Sequence, residues 1–154
     1  TKFPSKMDGA EPTRLAFLVT HIVQIKKNVL NQLIQHAQAQ APLECCGLLS
    51  GQDEVISDLH TMSNRVKSPV RFEMDPLELL LLFKSLRAVG DTHLGIYHSH
   101  PSTEAYPSAT DIEESFYPDC TYFIVSLKDP LSPQIRAFQI EDHKVRGVEM
   151  IELE

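Results

Sequence analysis

Apolar residues along this chain change their spacing several times, and each change marks an element. From Lys26 to Gln40, Val29, Leu30, Leu33, Ile34 and Ala37 fall three and four apart, which predicts an amphipathic helix with one face on a sheet, ended before Pro42. Upstream, Leu15 to Ile25 reads as a strand, with Phe17, Val19, Ile22, Val23 and Ile25 on a mixed pattern and a bend at His21. Cys45–Ser50 and Val55–Met62 are β-type runs joined through Gly51-Gln52-Asp53-Glu54, a turn by composition. A loop follows from Ser63 to Met74. Asp75 then offers an N-cap, Pro76 the first helical position and Glu78 a reciprocal acid, so a second helix is predicted through Val89, stopped at Gly90. His93–Tyr97 is again apolar and β-like. Beyond it, Thr121–Leu127 and Gln134–Ile140 are predicted strands separated by Lys128–Pro133, and Lys144–Glu149 makes a last one.

Helices at two points among many strands predict an α+β fold: a single domain with a sheet flanked by helices. A length of 154 residues suits one core and is short for two ordinary domains. Hydrophobic content of 42% with 23% charged residues excludes a disordered chain. The net charge of -7 speaks against nucleic acid as the main partner, because phosphate binding needs a basic surface. No membrane partner is expected, since the longest apolar stretch, Leu79 to Phe83, is far too short to span a bilayer. The three cysteines are odd in number, Cys45 and Cys46 adjacent and Cys120 distant. They imply no disulfide framework and fit small buried residues in a reducing compartment. The opening residues, Thr1–Lys6 and then Met7–Pro12, hold no apolar secretory core, and those ahead of Met7 read equally as added sequence. A cytoplasmic location is the expectation.

The candidate chemistry centres on His98-Ser99-His100-Pro101. Residues two apart on a strand share a face, so both imidazoles are available to one metal ion, and Pro101 marks the strand's end. The chain then passes through a loop, Ser102–Pro107, into Ser108-Ala109-Thr110-Asp111, which reads as a short helix start. Asp111 can fold back over the strand end as a third ligand. Two histidines, a carboxylate and one open position make a catalytic zinc site, where the metal lowers the pKa of its water to roughly 7. A base is also needed, and Glu44 is the candidate. It stands alone among apolar, small and thiol residues in Ala41–Leu49, where burying a lone carboxylate is expensive and its pKa rises towards the working range. Each residue also has a purely structural alternative. Glu44 would pair with an arginine, His98 and His100 would be ordinary strand histidines, and Ser108 with Asp111 would form a capping box. His21, His36, His60, His93 and His143 are assigned surface or packing roles, and Tyr106 and Phe116 line or support the loop of the site.

Taken together, Glu44, His98-Ser99-His100-Pro101 and Ser108-Ala109-Thr110-Asp111 resemble the signature of the JAMM (MPN+) zinc metalloproteases, in the family's order. The likeness runs from about Ile22 to Glu154 and includes Pro42-Leu43-Glu44-Cys45-Cys46-Gly47-Leu48-Leu49 and the loop with Asn64, Pro69, Phe72 and Asp75-Pro76. Without the long insertions of the eukaryotic deubiquitinating members, the chain is similar to the compact, stand-alone prokaryotic type. The resemblance implies a curved mixed sheet flanked by helices, of the JAMM/MPN, cytidine-deaminase-like kind, over residues 15–154, with 1–14 an N-terminal extension. It implies one Zn2+ per chain on His98, His100 and Asp111, activation of water by Glu44 and an oxyanion hydrogen bond from Ser108. The implied substrate is a small ubiquitin-like or sulfur-carrier protein of β-grasp type, cleaved after its C-terminal Gly-Gly to release cysteine, a peptide extension or a lysine-linked partner. Two alternatives stand beside this: a non-catalytic MPN-type interaction module, and a non-haem iron enzyme using the same two-histidine, one-carboxylate face. Oligomeric state and the identity of the carrier stay open.

Overall fold

The computed structural model describes residues 22–154. The elements in order are β1 (Ile22–Lys26), α1 (Lys27–Gln40), β2 (Cys46–Gln52), β3 (Val55–Met62), α2 (Pro76–Val89), β4 (Thr92–His100), α3 (Ala109–Glu113), β5 (Thr121–Ser126), β6 (Gln134–Glu141) and β7 (Lys144–Leu153). The expected extension 1–14 and the expected strand's first part, with its bend at His21, lie outside the described residues.

The α+β expectation holds, and the sheet goes further than the sequence pattern specifies by closing on itself. Its strand order is β1-β3-β2-β4-β5-β6-β7, and β1 pairs in parallel with both β3 and β7. Hairpin neighbours are antiparallel, whereas β4 and β5 run parallel from Gly95↔Thr121 to His100↔Ser126. A parallel pair needs a crossover connection rather than a tight turn. Here the crossover carries α3, so the fold itself returns a helix to the end of β4.

Side-chain alternation sorts the core into two clusters. Leu49, Tyr97, Phe123 and Val125 pack under the apolar face of α1, where Val29, Leu33 and Ala37 are fully buried. Their strand neighbours Leu48, Ile96, Tyr122 and Ile124 face the other way, against Leu79, Leu82 and Phe83 of α2. His98 and His100 share the parity of Ile96 and so emerge on the α2 side, next to α3.

Element ends follow local chemistry, with some corrections. The turn between β2 and β3 is only Asp53-Glu54, both at positive φ (54° and 61°), the geometry of a two-residue hairpin. Gly51 therefore stays in β2, where a Cβ would overlap the Val55 carbonyl. Asp75 caps α2 as expected, accepting from Leu77 N at 2.8 Å and Glu78 N at 3.1 Å. Glu78 is not the reciprocal acid, because its Oε1 accepts from Ser63 N at 3.1 Å and ties the preceding loop to the helix. Gly90 closes α2 in the left-handed region, φ 76°. Strand β7 runs on to Leu153, past the expected Glu149, because β1 supplies a second partner as far as Lys26↔Leu153. All three cysteines are free and buried, and no helix among the described residues is long and apolar enough to cross a membrane.

Candidate active site

Three pieces of chain build the site. The end of β4 supplies His98 and His100, 3% and 4% exposed. The start of α3 supplies Asp111, and the way it does so settles what the Ser108–Asp111 pair is locally. Ser108 Oγ accepts from Asp111 N at 3.1 Å, and Ser108 N donates to Asp111 Oδ2 at 2.9 Å. This is a capping box, and it aims the carboxylate. Oδ2 lies 3.0 Å from His98 Nε2 and 3.1 Å from His100 Nε2, and the two ring nitrogens are 3.1 Å apart.

Such a cluster suits a cation better than it suits protons. The two Nε2 atoms face each other and one carboxylate oxygen, a surplus of lone pairs away from water. A tetrahedral ion held at about 2.0–2.1 Å sets its ligands roughly 3.3 Å apart, close to the spacing found. His100 Nδ1 is 2.7 Å from the Glu104 carbonyl. A carbonyl only accepts, so Nδ1 carries the proton and the Nε2 lone pair points into the cluster, the usual arrangement behind a metal-ligating histidine. Phe72 stacks on His98 with centroids 4.7 Å apart and planes at 25°. Among the described residues this is the one group of three or more His, Cys, Asp or Glu side chains able to share an ion.

Charge follows the same geometry. Burial lowers the His98 pKa, only partly opposed by Asp111. For His100, burial also pulls down, but hydrogen bonds to Asp111 and the Glu104 carbonyl and the nearby carboxylates win, and its pKa is raised. Burial alone would raise Asp111, yet the imidazoles of His100 and His98 beside its Oδ2 hold it well below the carboxylate range. The carboxylate is ionised and the two imidazoles compete for it.

Glu44 enters from the segment ahead of β2. It is 3% exposed, its Oε1 has no hydrogen-bond partner, and no ion pair among the described residues reaches it. The arginine-paired alternative is therefore not what the structure contains. Burial, then the charge of Asp111, push its pKa up from 4.5 to about 7, with His100 pulling the other way. Beside His98 and Asp111 opens a largely apolar cavity of about 180 Å³, lined also by Ile96, Leu79, Tyr122 and Phe116.

The profile of the prokaryotic homologs of the JAB domain matches residues 26–141. The chain belongs to this family. It is a JAMM/MPN+ protein of the prokaryotic kind, and its relatives include the CysO-cysteine peptidase of Mycobacterium tuberculosis, 33% identical over 127 residues, 81% of this chain and 87% of that protein. The desampylase of Haloferax volcanii is 34% identical over 104 residues, 66% of this chain and 75% of that protein. Among solved structures, protein DSY2949 from Desulfitobacterium hafniense superposes with a TM-score of 0.78 at 35% identity, covering 86% of this chain and 93% of that one. With such relatives, this JAMM protein is a hydrolase of JAMM type. A non-catalytic module has no use for the cluster, and a non-haem iron enzyme gives Glu44 no part.

Phe116 lines the cavity, whereas Tyr106 packs edge-on against Phe138, centroids 5.5 Å apart, and supports the loop. His36 bonds Tyr97 Oη at 2.8 Å, His60 bonds Ser50 Oγ at 2.7 Å and His93 Nε2 lies 2.9 Å from Gly95 O, packing roles in each case. His143 sits in the β6–β7 turn at φ 63°, and His21 is outside the described residues. Sequence reasoning gave no part to Ser99, which points to the opposite face from its histidine neighbours. Ser99 Oγ accepts from Cys45 N at 2.8 Å and Ser99 N donates to Cys45 O at 3.0 Å, locking the end of β4 to the residue after Glu44. Its place between two histidines at period two was the available signal.

Proposed function

We propose that this protein is a zinc-dependent peptidase or isopeptidase that cleaves after the C-terminal Gly-Gly of a small ubiquitin-like or sulfur-carrier protein of β-grasp type. The observation that carries the reading is the buried His98–His100–Asp111 cluster with the unpaired Glu44 carboxylate beside it. The substrate class is supported by the activities for which the relatives are named, a CysO-cysteine peptidase and a desampylase, and the catalytic unit is assigned to residues 15–154.

One zinc ion per chain would be held by His98, His100 and Asp111; when bound, it supplies Lewis acidity and a water of depressed pKa. Glu44 accepts the proton of the attacking water and returns it to the leaving amine, a task its raised pKa suits. Ser108 Oγ spends an acceptor site on Asp111 N, which leaves its own hydroxyl proton to donate to the carbonyl oxygen as negative charge develops there. Capping and catalysis are compatible because they use opposite ends of one hydroxyl. The apolar cavity beside His98 and Asp111 offers room for the side chain of a carrier residue ahead of Gly-Gly.

The test is to incubate the purified protein with β-grasp carriers ending in Gly-Gly-cysteine, Gly-Gly-peptide or a lysine isopeptide, and to weigh the products. Mass loss after Gly-Gly that stops on chelation is expected. No cleavage of any of the three by the metal-loaded protein would refute the reading.

A further inference from the structure

Asn64 spends its whole hydrogen-bonding capacity at one place. Its Nδ2 donates to the Glu44 carbonyl at 3.1 Å and to the Arg71 carbonyl at 3.0 Å, while Oδ1 accepts from Val66 N at 3.3 Å and Glu73 N at 3.1 Å. Two donors and two acceptor sites are all a side-chain amide has. The same loop takes the other backbone group of Glu44, whose N–H donates to the Ser68 carbonyl at 2.9 Å. Glu44 precedes β2, so no strand neighbour supplies these bonds. Residue 45, next along, is held instead by Ser99 of the ligand strand.

The Glu44 side chain has no such support, since Oε1 has no partner. Where its carboxylate points is therefore set by where its backbone is held and by packing. Phe72, on the loop that Asn64 gathers, stacks on His98, so one loop touches both the base and a metal ligand.

We propose that Asn64 is a positioning residue for this reaction: by clamping the Glu44 carbonyl to the 64–74 loop, it fixes the aim of the base relative to His98, His100 and Asp111. This rests on Glu44 being the base. A misplacement of about 1 Å at a catalytic group can reduce the rate on the order of 100-fold, which sets the scale of the effect.

Asn64→Ala and Asn64→Asp both remove the bond to the Glu44 carbonyl, but Asp keeps the two bonds accepted from Val66 and Glu73. Each is compared with the parent and with Glu44→Gln for kcat, KM, zinc content and thermal unfolding. Expected is a fall in kcat of roughly 10- to 100-fold for both variants, with KM within about twofold and zinc retained. In the Glu44→Gln background the same substitutions should lower the residual kcat less than about threefold, because a residue acting through Glu44 has nothing left to aim. Equal losses in both backgrounds, normal kcat in Asn64→Asp, or failure of both variants to fold would each overturn the proposal and leave Asn64 a loop staple. If Glu44→Gln itself keeps full turnover, the assignment of the base falls first, and that result is distinct from the others.

Discussion

Replacing Glu44 by glutamine should make the metal-free protein more stable at alkaline pH while removing its activity. A carboxylate whose folded pKa lies near 7 binds its proton more tightly in the folded chain than in the unfolded one. Below its ordinary pKa of 4.5 it is neutral in both states and contributes no pH-dependent difference. As pH rises from there through 7, the unfolded chain ionises first and folding stability is lost. Tenfold in proton affinity corresponds to about 1.4 kcal/mol, so the full penalty is on the order of 3 kcal/mol, complete by pH 8. Glutamine cannot ionise and escapes it. Any cost of seating the amide is the same at all pH values, so the informative quantity is the change in the variant-minus-parent stability between pH 4 and pH 8. Denaturant unfolding of both chelated proteins across that range measures it. At pH 8 the gain corresponds to roughly 6–12 °C in Tm, at the usual conversion for a domain of this size. A variant-minus-parent difference that is flat with pH would show that Glu44 is not held in a site that resists its charge.

Turnover should move in the opposite sense: Glu44→Gln is expected to lower kcat roughly 100- to 10,000-fold with zinc content unchanged, read by product mass and elemental analysis. His100→Ala should lose the metal itself, with elemental analysis falling from about one zinc per chain towards none; full retention would remove His100 from the ligand set. Ser108→Ala should lose roughly 100- to 1000-fold in kcat with zinc retained, and a cap loss of about 0.5–2 kcal/mol in thermal unfolding. Near-normal kcat with the same melting shift would leave this serine with capping alone.

What the sequence made legible is tied to what is local. The period-two spacing of His98 and His100, the helix start at Ser108 and the lone carboxylate at Glu44 are each readable within a few residues. The structure brings the first two together because β4 and β5 are parallel, a pairing no local pattern announces. The closure of the sheet by β1 and β7 is hidden for the same reason, and it cost the boundary at Glu149. Glu78 shows the limit from the other side: its position fits a capping box, but Ser63 N, fifteen residues upstream, is the better-placed donor. Asn64 was legible only as one residue of a family-like loop and Ser68 not at all, since their contact with Glu44 exists only after the loop has folded across the segment ahead of β2.

The β4–β5 crossover also decides how the molecule would yield to a protease. Helix α3 has no fully buried residue, and Ile112 is its contact with the second core cluster; the capping box and the meeting of Asp111 with two histidines of β4 add to that hold. An ion shared across that meeting would bind only the closed arrangement and stabilise it by mass action. Occupancy of the site and integrity of the 101–114 segment would then be one property. Chelation should open this segment to limited proteolysis well before the rest of the chain, with cuts mapped to it by mass, and added zinc should close it again. In a cell short of the metal, the idle enzyme would be the one cut.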